Sequence, residues 1–116
     1  MGISAVSSAL LLKAMDGLQQ RAQVMAQNIA NANSPGYRPL AVTFEDVLRA
    51  AAEKNPGSIA QVFPRIVPAD ASLGRWPVRL DLELATASVT AGRYAALSEL
   101  LNRRLQLEAL AVAGTR

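Results

Sequence analysis

The side chains that could take part in chemistry are mostly carboxylates, because the chain of 116 residues contains no cysteine and no histidine. This composition excludes disulfide scaffolds, metal sites built on thiolate or imidazole ligands, and catalysis by Cys or His. Asp81 and Glu83 are the best-placed carboxylates, but a separation of two residues does not put them on the same face of a helix. We interpret them as acidic residues in the first turn of a helix, where they favour its dipole.

Catalysis would need further groups beside these carboxylates, and the sequence does not supply them. No carboxylate pair comes with a base, a nucleophile or a glycine-rich phosphate loop, and Glu45-Asp46 is typical of a solvated helix start. The adjacent basic pair Arg103-Arg104 is interpreted as a solvated part of a helix rather than a phosphate site. We therefore predict a protein that is not an enzyme and that has no cofactor, no metal, no small-molecule substrate and no nucleic acid partner.

The most distinctive local pattern is an amide-rich helix stop, NIANANSPGYR, from Asn28 to Arg38. Asn33 is predicted to end the helix in the left-handed conformation. Pro35 and Gly36 fit the two central positions of a type II turn, with the glycine at positive φ. The residues expected to fix this sharp exit, called the signature turn below, are Asn28, Asn31, Asn33, Pro35, Gly36 and Tyr37.

The elements that must position these residues follow from composition and from the placement of proline. Hydrophobic residues make up 51% of the chain and aromatic residues only 4%, a composition typical of long helices. All six prolines lie within residues 34–79, and proline blocks helix interiors. The sequence therefore predicts an all-α, elongated fold that is completed by assembly. Its parts are an N-terminal coiled-coil helix (1–33), a connector of signature turn, short helix and irregular segments (34–79) and a C-terminal coiled-coil helix (80–116).

Each terminal segment carries an apolar stripe. In the first segment the stripe has a mean spacing of 3.5 residues, as in a coiled-coil seam, but three of its members are alanines. The C-terminal segment has one stripe through Leu82 and Leu100 and a second one about 100° away through Leu97 and Leu101. Two stripes predict that this helix contacts more than one neighbour. The predicted interface pairs Leu11, Leu18, Met25 and Ile29 with Leu82, Val89, Leu100 and Leu107.

The connector allows little regular structure. A short helix fits between Thr43 and Lys54 with Thr43 as its N-cap, and Gln61 to Val67 is predicted to form a short edge strand at best. Gly92, in a poor helix-forming stretch, is expected where another backbone comes close. Two paired helices bury too little surface for a stable globule, which favours a subunit completed by its neighbours. The alternative is a small bundle with the connector folded over the helix pair.

The signature turn resembles that of the bacterial flagellar axial proteins, the rod and hook family, with Ser34 where the usual form has threonine. The segment from Phe44 to Leu48 is similar to the F-x-x-x-L segment that follows the signature in proximal rod proteins. Asp81-Leu82-Glu83, followed by Arg93-Tyr94, resembles a second pattern of the same proteins. The resemblance covers about Leu10 to Leu48 and Arg79 to Ala113.

The resemblance implies a mechanical function, as a torque-transmitting subunit of the proximal rod of the flagellar basal body. It also implies terminal segments that are disordered in the free monomer and fold on assembly. The implied partners are other copies of the chain, other rod proteins, the adaptor protein at the rod base, the membrane ring and the flagellar type III export apparatus. Export without a cleaved signal agrees with the start of the chain, where the longest apolar run is only Ala9 to Leu12.

The sequence is compatible with two alternative functions. A soluble helical adaptor with a cytoplasmic partner would remain in the cytosol, whereas a rod subunit would be found in basal bodies. A nucleic-acid-binding protein would bind DNA or RNA in a salt-sensitive manner. The net charge of +3 comes from scattered basic residues, which argues against nucleic acid binding.

Overall fold

Four helices and two short strands make up residues 3–69 and 80–114, the part of the chain described by a computed structural model. In chain order they are α1 (Ile3–Ala30), β1 (Leu40–Thr43), α2 (Glu45–Lys54), α3 (Pro56–Ala60), β2 (Arg65–Pro68) and α4 (Leu80–Gly114). The predicted all-α fold with two long terminal helices is confirmed, and the strands add a small sheet. The end of the predicted connector, residues 70–79, lies outside the described residues.

The two terminal helices pack against each other and make the molecule long and thin. Met25 contacts Thr90 and Asn28 contacts Glu83, so α1 and α4 run antiparallel. The principal dimensions are 63 × 26 × 17 Å and the radius of gyration is 17.5 Å. A compact domain of this length would have a radius of gyration of about 13 Å. The predicted elongated shape is therefore confirmed.

The hydrophobic core lies where the connector folds over α1. Phe44, Leu48 and Ile59 are buried there, with Ile59 completely excluded from solvent. They pack with Leu18 and Val24 of α1 in one cluster. Through residue 69 the connector therefore contains β1 and α3 in addition to the predicted short helix and edge strand.

Proline marks the ends of the connector elements instead of preventing them. Pro39 precedes β1 and Pro64 precedes β2, so neither interrupts a strand. Pro56 is the first residue of α3, a position where its missing N–H costs nothing, and the Asn55 side chain caps that helix by accepting from the N–H of Ser58. The short strand predicted at Gln61 to Val67 is found as β2, and its partner β1 was not predicted.

The start of α2 differs from the prediction. Thr43 is the last residue of β1, paired opposite Arg65, and so it cannot cap the helix. Phe44 takes the N-cap position without a side-chain hydrogen bond, and its carbonyl accepts from the N–H of Leu48. The first turn instead carries Glu45 and Asp46, whose charges favour the helix dipole.

Helix α4 is far more exposed than α1. Of its described side chains only Glu83 and Thr90 are buried. A Cβ added at Gly92 would meet nothing within 4 Å, so the expected close approach of a second backbone does not occur within the described chain. Among the described residues, no helix is both long and apolar enough to cross a membrane.

Candidate assembly site

Asn28 is the centre of a polar junction that joins the signature turn, β1 and α4. Its amide nitrogen donates to the carbonyl of Leu40 at 2.8 Å and to the Glu83 carboxylate at 3.3 Å. Its amide oxygen accepts from the Tyr37 hydroxyl at 2.7 Å and from the N–H of Leu40 at 3.0 Å. Both donors and both acceptor positions of the amide are used, and the residue is only 1% exposed. Asn28 therefore fixes the chain exit instead of simply ending a helix.

The turn that brings Tyr37 to Asn28 has the geometry predicted for Pro35-Gly36. Gly36 has a φ of 74°, and the N–H of Tyr37 donates to the carbonyl of Ser34 at 3.2 Å. A side chain at Gly36 would be strained by this φ, whatever space surrounds it. The combination of an i to i+3 hydrogen bond with positive φ at the third residue matches a type II turn.

The end of α1 differs from the prediction for Asn33. The helix ends at Ala30, and no described residue other than glycine has positive φ, so Asn33 is not left-handed. The chain leaves the helix through tight turns, in which Ala32 donates to Ile29 and Ser34 donates to Asn31. The Asn31 amide nitrogen also donates to the Gln27 carbonyl at 2.9 Å, which accepts from the Asn31 backbone N–H at 3.1 Å as well.

Glu83 and Tyr37 approach Asn28 from opposite parts of the sequence. Glu83 is 8% exposed, and its carboxylate accepts from Asn28. Burial and the nearby Glu83 charge raise the pKa of Tyr37 above its ordinary value of 10.0. Tyr37 therefore remains protonated, and able to donate to Asn28, over the whole neutral range. Glu83 was predicted only as part of a helix start. Its contact with Asn28 was not predicted, because residues 55 positions apart show no local sequence pattern that pairs them.

A second junction holds α2 against α1. The Arg21 guanidinium donates to both carboxylate oxygens of Glu45, at 2.6 and 2.7 Å, and to the carbonyl of Val42 at 2.8 Å. It also lies over the Phe44 ring, 4.9 Å from its centroid. The hydrogen bonds from Arg21 hold the pKa of Glu45 below its ordinary value of 4.5. The Arg21–Glu45 pair was not predicted from the sequence, because Arg21 is a single basic residue on a polar helix face.

Acidification is expected to weaken this second junction. Because folding lowers the pKa of Glu45, its charge stabilises the folded chain above pH 4.5, and this stabilisation is lost as the pH falls through the lower folded-state pKa. Glu45→Gln should therefore cost about 0.5–1 kcal/mol at pH 7, since the carboxylate is 45% exposed, and less at pH 3. Urea unfolding at both pH values measures the difference. Asp46→Asn is the control for loss of a charge in the same helix turn: Asp46 is 97% exposed and 3.7 Å from Arg49, so its effect should be limited to the weaker interaction with the helix dipole.

The face of α4 that meets α1 is not the one predicted. Glu83 and Thr90 are buried and Leu97 is partly buried, and the Thr90 hydroxyl lies 3.8 Å from the Met25 sulfur. These three residues are called the inner face of α4 below. Leu97 belongs to the second apolar stripe seen in the sequence. Because Asn28 donates to Glu83, α4 is oriented about its own axis so that a partly polar face packs against α1.

The first apolar stripe of α4, through Leu82 and Leu100, is exposed to solvent. Its four predicted interface residues, called the outer stripe below, are 40, 52, 48 and 66% exposed in the order Leu82, Val89, Leu100 and Leu107. The structure thus corrects their predicted packing on α1 within one chain. A role in contacts between subunits stays a prediction.

The four residues predicted from α1 lie on its packed side. Leu18 and Met25 are buried, at 4% and 8% exposure, and Leu11 and Ile29 are partly buried. Leu18 belongs to the core cluster with the connector, so α1 is shared between the connector and α4. This double use of one helix was not apparent from a single apolar seam.

The described residues offer little for a small ligand. In the ranges 3–69 and 80–114, no group of three or more acidic side chains is placed to hold a metal ion. A groove of about 460 Å³ runs between α1, β1 and α4, and its lining includes Met25, Val42, Glu83 and Val89. Its polar groups are partly engaged, since Glu83 binds Asn28 and Thr90 binds Met25.

Comparison with known proteins bears on the segment that contains the Asn28 junction. Residues 11–38 match the model of the family described as flagella basal body rod protein. No curated protein and no solved structure matches the chain. The matched segment contains most of α1 from Leu11 onward and the whole signature turn, and it ends at Arg38. The similarity to the flagellar basal body rod protein family is thus confined to this segment, about a quarter of the chain.

Proposed function

We propose that the chain is FlgB, a structural subunit of the proximal rod, the torque-transmitting drive shaft of the bacterial flagellum. The observation that carries the proposal is the coexistence of two features. Residues 11–38 match the rod family, and the apolar side chains of the outer stripe of α4 remain largely exposed in the described chain. The family is structural, which agrees with a polar junction that ties elements together instead of exposing a reactive group.

The shape and exposure of α4 support assembly. A helix of 35 residues is about 52 Å long, yet most of its surface has no partner within the described chain. Large apolar side chains in such a row mark an interaction surface. Rod proteins assemble with one another, so we infer that the outer stripe packs against other copies of the chain and against other rod proteins.

The finer assignment rests on sequence resemblance. The segments from Phe44 to Leu48 and from Asp81 to Glu83 are similar to those of proximal rod proteins, so we place the chain at the rod base. There it would contact the adaptor protein and the membrane ring, in the part of the rod that crosses the periplasm. Export by the flagellar type III apparatus, without a cleaved signal, and helical self-assembly complete the proposal.

Leu100→Asp tests the proposal. Leu100 is 48% exposed, so an aspartate should be tolerated by the folded chain, whereas a charge within an apolar contact between subunits should block assembly. We expect cells with this variant as their only copy to lose swimming and to lack the protein in isolated basal bodies. Motility on soft agar and immunodetection in purified basal bodies measure both effects. Leu18 is less suitable, because a charge at this buried position would also disrupt the core.

Val47→Asp is the matched control, because Val47 is an apolar residue of α2 with a similar exposure of 53%. It should leave basal-body content and swimming close to normal. Normal swimming with Leu100→Asp would refute the role of the outer stripe. If the unaltered chain were found only in the cytosol of fractionated cells, the rod function itself would be wrong and a soluble helical adaptor would be favoured.

A further inference from the structure

The contact between α1 and α4 is repetitive and does not by itself select one alignment. The inner face of α4 recurs every seven residues, at Glu83, Thr90 and Leu97. On α1, Leu18 and Met25 are also seven residues apart and both are buried. Displacing α4 by seven residues, about 10 Å, would place Leu97 opposite Met25, so an apolar pair would form in that alignment as well. Something else must distinguish the observed alignment from its neighbours.

The hydrogen bond from Asn28 to Glu83 is the feature that a displaced alignment would lose. In an alignment moved by one repeat, Asn28 would face Thr90, and Glu83 would be separated from its donor. The Asn28 amide, which is only 1% exposed, would then lose its hydrogen bond to a charged acceptor. An apolar contact gives no comparable penalty, because leucine, methionine and threonine can pack in several registers.

Asn28 is suited to this selection because it is held independently of α4. Its three other hydrogen bonds go to Tyr37 and to the two backbone groups of Leu40. The remaining amide hydrogen is therefore presented at one fixed position along α1, and α4 must place an acceptor there. We propose that the Asn28–Glu83 pair fixes the register in which the C-terminal helix packs on the N-terminal helix.

Cysteine pairs can report the register, because the natural chain contains no cysteine. The purified full-length chain would carry Met25→Cys with either Thr90→Cys, which reports the observed alignment, or Leu97→Cys, which reports the alignment displaced by seven residues. Met25 and Thr90 are in contact at 3.8 Å, whereas position 97 lies two turns further along α4. Oxidation in dilute solution and intact-mass analysis give the fraction of intramolecular disulfide in each pair.

With Glu83 present, the 25–90 pair should form at least roughly tenfold more disulfide than the 25–97 pair, the ratio expected from one hydrogen bond to a charged group. Glu83→Leu should reduce this ratio towards one while the helical circular dichroism is retained. Glu83→Gln, which keeps an acceptor for Asn28, should preserve the preference. A merely stabilising role would lower the yield of both pairs equally.

The proposal is overturned if Glu83→Leu keeps the full preference for the 25–90 pair, or if both pairs form equally in the parent chain. It is also overturned if Glu83→Leu and Glu83→Ala both lose their helical signal, since Glu83 would then supply bulk stability instead of choosing a register. The measurement is made on isolated chain whose circular dichroism shows that the helices are formed, and it needs no basal body, so its outcome is read separately from the tests of the rod function.

Discussion

Asn28→Leu is expected to lower the free energy of unfolding by about 3–5 kcal/mol. Leucine is similar in size but offers no hydrogen bonds, so the substitution leaves four polar groups without their partner: the Tyr37 hydroxyl, both backbone groups of Leu40 and the Glu83 carboxylate. A group buried without a partner costs about 1–3 kcal/mol, and the costs at one junction are not additive. Typical domains have only 5–15 kcal/mol in total, so this one change removes a large part of the stability.

Asn33→Leu is the matched control for Asn28→Leu. It makes the same chemical change five residues later, at a position that is exposed. Surface substitutions of this kind usually change stability by less than about 0.5 kcal/mol. Urea unfolding followed by circular dichroism compares the two variants, and similar losses from both would show that the Asn28 junction contributes no special stability.

The sequence was sufficient to predict the parts of the fold that depend on local chemistry. Proline placement and apolar spacing predicted the two terminal helices, since both signals act within a few residues. The positive φ of Gly36 was predicted for the same reason, because Pro-Gly sets its own turn geometry. These features require no knowledge of what packs against them.

The sequence could not predict which face of α4 turns towards α1. Both apolar stripes of that helix were visible, and the longer one, through Leu82 and Leu100, was the natural choice for the contact. The structure turns neither stripe inward as a whole: the inner face combines Leu97 of the second stripe with Glu83 and Thr90, and Glu83 reaches a donor on Asn28 across 55 residues. Contacts between distant residues depend on three-dimensional placement, which spacing along one chain does not encode.

The same limit applies to the connector. Proline was taken to exclude helix interiors, but Pro39, Pro56, Pro64 and Pro68 lie beside or at the ends of described elements, where they are compatible with regular structure. Phe44 and Leu48 at the start of α2 and Ile59 in α3 then form the core with α1. One side of α1 is thus occupied by the connector, whereas α4 exposes a row of large apolar side chains.

Gly17 shows how closely the connector approaches α1. A Cβ built on Gly17 would lie 2.5–2.6 Å from three atoms of the Phe44 ring, a distance that real side chains do not adopt. The ring is 5% exposed and also carries the Arg21 guanidinium on its face, so it has little room to move. The glycine is therefore needed for packing, although glycine costs about 1 kcal/mol relative to alanine in a helix interior.

Gly17→Ala is expected to lower the free energy of unfolding by about 1–2 kcal/mol, because overpacking outweighs the gain in helix propensity. Gly92→Ala is the matched control: it lies in the interior of α4, where an added Cβ meets nothing within 4 Å, and it should raise stability by about 0.5–1 kcal/mol. The two identical substitutions should thus have opposite signs in urea unfolding of the purified chain.

A double-mutant cycle with Phe44→Leu identifies the cause. Leucine removes the ring atoms that a Cβ on Gly17 would meet, so in this background Gly17→Ala should lose most of its penalty, a coupling of about 1–2 kcal/mol. If Gly17→Ala destabilises equally with and without the ring, the cost lies elsewhere in α1. If it stabilises the parent chain as Gly92→Ala does, then Phe44 does not pack on the backbone of α1, and the connector is held to that helix by Arg21 and the remaining core residues alone.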